Sequence, residues 1–109
     1  MKILFDNGTP KPIARSLPGH EVTYARQAGW HELRNGELLT IAESSGFDVF
    51  LTTDKNLRYQ QNLADRRLAI VVLSNSQWPD VRLHVDRIAA VVLSVEPGAY
   101  IEIEIPHRD

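Results

Sequence analysis

The sequence predicts an α/β protein: a three-layer α/β/α sandwich around a mostly parallel five-stranded sheet, in one domain over 1–109. Three observations carry that prediction. LAIVVLS, Leu68 to Ser74, is a continuous β-branched run bounded by polar residues, the pattern of a strand buried on both faces. Short apolar runs alternate along the chain with helix-patterned segments, the order of βαβ units and hence of a parallel sheet covered on both sides. With 109 residues, 43% hydrophobic and 24% charged, the chain can bury one real core and is ordinary for a globular domain.

KILF, Lys2 to Phe5, reads as the first strand, and Asp6-Asn7-Gly8 turns the chain. Thr9-Pro10 reads as the cap and first turn of a short helix through Ile13, Ala14 and Leu17, stopped by Pro18-Gly19. HEVTYA, His20 to Ala25, is a second strand, less apolar and so expected nearer an edge. Gln27 to Arg34 holds no clean period and reads as a loop. Asn35 is expected to cap GELLTIAESS, which buries Leu38, Leu39, Ile41 and Ala42 and ends at Gly46. Asp48 to Leu51 is the third strand, and Leu57 to Arg66 a short polar helix. After LAIVVLS, SNSQWP reads as a loop anchored by Trp78. Asp80 to Val95 is then a helix, with Val81, Val85, Ile88, Ala89 and Val92 at three- and four-residue spacing. In AYIEIEI the isoleucines alternate with Tyr100, Glu102 and Glu104, as expected of a half-exposed edge strand guarded by acids.

Composition narrows the function classes. Without cysteine there is no disulfide, thiolate nucleophile or cysteine zinc site. No apolar stretch approaches membrane-spanning length, and MKILFDNG lacks the zones of a signal peptide, so a cytoplasmic protein is expected. A net charge of −2 argues against a broadly basic surface for long nucleic acid, but not against a local basic rim. Glycine-rich nucleotide loops and a GxSxG elbow are absent, and His20 and His31 have no partner at metal-binding spacing.

In open parallel sheets ligands bind outside the carboxyl ends of the strands. Asp6 follows the first strand and Asp54 the third; on neighbouring strands their carboxylates would lie within about 10 Å. Glu37 opens the helix that precedes the third strand, which places it at the same edge. Three converging carboxylates repel one another and call for a cation. Hard oxygen ligands suit Mg²⁺ or Mn²⁺, which activates water and stabilises charge on a phosphodiester. Each acid also has a plainer reading: Asp54 as an Asx turn or cap, Asp6 as a turn residue, Glu37 as a first-turn acid favoured by the helix dipole. Asn7 and Asn56 are either auxiliary oxygen donors or turn residues. Lys55, Arg58, Arg66 and Arg67 are either a phosphate-facing rim or a solvated helix face.

The pieces KILFDNGTP, NGELLTIAES and VFLTTDKN, with LAIVVLS after them, resemble in order and spacing the PIN-domain family. The resemblance is narrower to the short bacterial and archaeal PIN-like proteins whose genes accompany a small antitoxin-like gene, and it covers the chain to about Ile105. It implies a Mg²⁺- or Mn²⁺-dependent endoribonuclease acting on RNA, the toxin of a toxin–antitoxin pair, working as a homodimer. Asp6, Glu37 and Asp54 would be the metal ligands and catalytic residues, with Lys55 or Arg58 steering the substrate phosphate. Two positions depart from the family pattern: Asn7 stands where these relatives often carry Glu, and Asn56 where a further acid often follows. An amide brings an oxygen but no charge, so a weak one-metal nuclease and a catalytically degenerate PIN-like binding module both stay open. A phosphoacceptor receiver domain is disfavoured, because LAIVVLSNSQ has no lysine past the strand.

Overall fold

Five parallel strands form one sheet in the order β2-β1-β3-β4-β5. They are β1 (Lys2–Phe5), β2 (Glu21–Tyr24), β3 (Val49–Thr52), β4 (Ala69–Leu73) and β5 (Tyr100–Ile103). All four pairings are parallel, with Phe5 opposite Leu51, Thr52 opposite Val72 and Val72 opposite Glu102. The structure, a computed structural model, describes residues 1–57 and 66–108, with the side chain of Asn35 left out. The helix expected from Leu57 to Arg66 falls, apart from its end residues, outside the described residues, and so does Arg58.

Side chains alternate along a strand, so each strand feeds two cores. Ile3, Phe5, Val49, Leu51, Ala69, Val71 and Leu73 point to one face, where they meet Ile13, Leu17, Val81, Ile88 and Val92. Leu4, Phe50, Ile70 and Val72 point to the other and meet Leu38, Leu39 and Ala42. β3 and β4 are buried along their whole length, as their unbroken apolar runs require. The predicted edges are the observed ones: β2 and β5 flank the sheet and are the least buried strands.

Among the described residues the covering helices are α1 (Asn35–Ser44), α2 (Trp78–Val81) and α3 (Val85–Ser94), with 3₁₀ helices at Lys11–Ser16 and Arg82–His84. Three local expectations are corrected here. Thr9 does not cap the first helix; its hydroxyl donates to the Leu51 carbonyl at 3.0 Å and is buried, so it ties the loop to β3 instead. Arg34, not Asn35, holds the N-cap position of α1, and Glu37 three residues on accepts its backbone N–H at 3.3 Å. The last helix starts two residues early, at Trp78, because Pro79 suits a first turn, and a 3₁₀ turn interrupts it before α3.

Ser74, Asn75 and Asp80, just past β4, hold the segment that follows β5. Ser74 Oγ accepts the Ile105 N–H at 2.8 Å. Asp80, only 7% exposed, accepts the Arg108 backbone N–H at 3.1 Å, its Nε–H at 3.0 Å and the Asn75 amide at 2.8 Å. The Asn75 amide, followed by the Arg108 donors, holds the Asp80 carboxyl below the usual carboxylate range, against the opposing effect of burial. A depressed carboxyl stabilises the fold above its unfolded value of about 3.9, and that contribution is lost as pH falls through the folded value. The urea midpoint of the wild type should therefore exceed that of Asp80→Asn at about pH 6, and the gap should narrow below about pH 4. A gap that does not change with pH would contradict the assignment.

Candidate functional site at the carboxyl edge

The direction of the chain reverses between β1 and β3. From β1 the chain crosses one face through the 3₁₀ helix to β2, then returns over the other face through α1 to β3 on the far side. Between two strands whose connections leave in opposite directions, a crevice opens at the carboxyl ends. Asp6 and Asp54 follow the two strands that flank this crevice.

Local hydrogen bonds set both carboxylates. The Asp6 backbone N–H continues the ladder to the Leu51 carbonyl at 2.9 Å, so the acid leaves β1 in register with Thr52. Thr52, fully buried, donates its hydroxyl to Asp6 Oδ2 at 2.7 Å and accepts the Asp54 backbone N–H at 3.1 Å. One hydroxyl thus joins the two acidic loops. Asp6 Oδ1 accepts the Asn7 N–H at 2.9 Å, and Asp54 Oδ1 accepts the Asn56 N–H at 3.0 Å, an Asx turn. Gly8 belongs to the same packing: a Cβ there would stand 2.8 Å from Thr53 Oγ1, so a larger residue would have to displace the Thr53 side chain.

The remaining predicted residues are placed less uniformly. Asn7 donates its side-chain amide to the His31 carbonyl at 3.2 Å, which ties the loop ahead of α1 to this edge. Glu37 is exposed in the first turn of α1, and its carboxylate accepts the backbone N–H of Arg34. Among the described residues no group of three His, Asp or Glu side chains is assembled to hold a metal ion. Lys55 and Asn56 are exposed beside Asp54. Arg66 and Arg67 precede β4 and so lie at the opposite, amino edge. There Arg66 pairs with Glu43 at 3.6 Å, and the two line a groove of about 940 Å³ away from Asp6 and Asp54. They are not a rim of the acidic crevice.

No known protein family, curated protein or solved structure matches this chain. The chemistry of the crevice therefore rests on its own residues. An ionised carboxylate offers about four lone-pair sites on two oxygens. The bonds above occupy only part of that capacity on Asp6. Two such groups suit a hard cation that keeps several waters, as Mg²⁺ does.

Two groups of residues went unnoticed in the sequence. Thr52 was visible only as a hydroxyl closing an apolar strand. Asn75 and Asp80 sit in SNSQWPD, a pattern that reads as loop followed by helix, and their role needs Arg108 from far along the chain.

Among the described residues no helix is long and apolar enough to cross a membrane.

Proposed function

We propose that the chain is a metal-dependent endoribonuclease of PIN-like type, with Asp6 and Asp54 as the cation-holding pair. One observation carries the reading: two carboxylates from distant positions, linked through Thr52, at the crevice between β1 and β3. Bound Mg²⁺ or Mn²⁺ would supply an activated water and charge stabilisation at an RNA phosphodiester. Thr52 orients Asp6 through its hydroxyl, and the Asx turn at Asp54 fixes the other acid. Lys55, exposed next to Asp54, is placed to attract the phosphate. Glu37, exposed in the first turn of α1, would be the third carboxylate of the same reading. The toxin role, with a small antitoxin-like partner and a second copy of the chain, belongs to the same reading.

The test is cleavage of single-stranded RNA with Mn²⁺ by the wild type, Asp6→Asn and Asp54→Asn; equal cleavage by all three removes the proposal. The second reading, a binding module without catalysis, is favoured by Asn7 and Asn56, which bring no charge to the crevice. It prevails if calorimetry finds no Mn²⁺ binding and a protein partner co-purifies.

Thr52 gives a sharper prediction. Thr52→Val keeps the shape but removes both the donor to Asp6 and the acceptor for Asp54, and cleavage should fall by about 10- to 100-fold. Thr52→Ser, which restores the hydroxyl, should recover most of it. Equal rates for the valine and serine variants would show that the hydroxyl does not organise the site.

A further inference from the structure

One strand beyond the acidic crevice, on the same face of the sheet, lies a groove of about 520 Å³ whose wall includes the segment after β5. Its lining includes Lys55, Val72, Ser74, Glu102, Glu104 and His107. Thr52 and Val72 are partners in the sheet, so the groove lies one strand over from the residue that joins Asp6 to Asp54.

The hydrogen bonding at Asn75 fixes which nitrogen of His107 carries the proton. Asn75 Oδ1 accepts the Gln77 N–H at 2.8 Å, so the amide is oriented with its nitrogen toward Asp80 and His107. Its two amide protons then have two acceptors: Asp80 Oδ2 at 2.8 Å and His107 Nδ1 at 3.0 Å. With the Asn75 amide as donor, Nδ1 accepts and the neutral ring carries its proton on Nε2; Asp80 Oδ2, 3.4 Å from Nδ1, pairs with the ring in its charged form, in which Nε2 also carries a proton. The His107 side chain is 73% exposed, while Asp80 beneath it is buried and bonded to Arg108. An imidazole anchored at Nδ1 thus presents one N–H donor at the groove that Lys55 also lines.

Resting on the ribonuclease reading, we propose that His107 is a substrate-contacting residue that donates Nε2–H to a non-scissile phosphate of single-stranded RNA crossing the carboxyl edge. Lys55 lies on the same path. Glu104, which also lines the groove, repels the backbone. Asn75 and Asp80 are positioning residues that act through the ring.

The experiment is fluorescence anisotropy of a labelled single-stranded RNA oligonucleotide in EDTA, with the full chain as wild type, His107→Ala and Glu104→Gln. Both substitutions are at exposed side chains and leave the core intact. His107→Ala should weaken binding about tenfold, the loss of one hydrogen bond to a charged group. Glu104→Gln should tighten it. Unchanged binding by His107→Ala, or weaker binding by Glu104→Gln, overturns the proposal; the latter result points to a nucleobase seated on the glutamates. Cleavage with Mn²⁺ is read separately. Cleaving wild type with an unaffected His107→Ala removes only the histidine contact. Binding that His107→Ala weakens, without cleavage, removes the nuclease and keeps the contact. A wild type that neither binds nor cleaves removes both.

Discussion

Asp6→Asn and Asp54→Asn should each lower Mn²⁺-dependent RNA cleavage by about a thousandfold while leaving the fold in place. The magnitude follows from what a bound cation supplies, several kcal/mol of transition-state stabilisation, with each factor of ten worth about 1.4 kcal/mol. The amide keeps the shape of the side chain and can still accept from Thr52 or from the following backbone N–H. It removes one unit of charge from a pair that is too small to lose one. Both acids sit in loops after their strands, so neither change touches the buried core. Matching thermal midpoints beside lost activity would separate chemistry from folding. The double variant should be no worse than either single one, because the residues act as a unit. Additive losses would mean that the two carboxylates do separate jobs.

What the sequence made legible was the part written in local pattern. The unbroken run AIVVL reads as a strand buried on both faces, and the isoleucine alternation in YIEI as a half-exposed edge. Asp6 and Asp54 could be placed at one edge because a parallel sheet puts every strand's carboxyl end on the same side. Their adjacency depended on β1 pairing with β3, a non-local fact that no run of residues encodes. Thr52 was hidden for the same reason: its hydroxyl matters through Asp6, 46 residues away. Glu37 shows the opposite case. Its position was foreseen, but in a first helical turn an acid has a backbone donor close at hand, and Arg34 takes it up. Arg66 and Arg67 were grouped with Lys55 by sequence proximity alone, whereas the chain has crossed to the other edge of the sheet by the time it reaches them.

Phe50→Ala should cost about 3–5 kcal/mol, the largest loss of stability from a single change proposed for this chain. Phe50 is 1% exposed at the middle of β3, the sheet's central strand, with Leu4 and Ile70 beside it and the Leu38, Leu39 and Ala42 side of α1 above. The surrounding side chains belong to strands fixed by their own ladders, so the cavity cannot readily collapse, and the cost lies toward the upper part of that range. Domains of this size are stable by only about 5–15 kcal/mol, so the variant should lose a large share of its stability and melt more than about 12 °C lower. Phe50→Leu, which keeps most of the volume, should cost less than about half as much. Leu83→Ala serves as the control, because Leu83 is 59% exposed and its truncation should fall within about 0.5 kcal/mol. Urea titrations with a common slope are the measurement. If Phe50→Ala behaved like Leu83→Ala, β3 would not be the buried centre of the sheet, and Thr52, two residues further along the same strand, could not be holding Asp6 and Asp54 together.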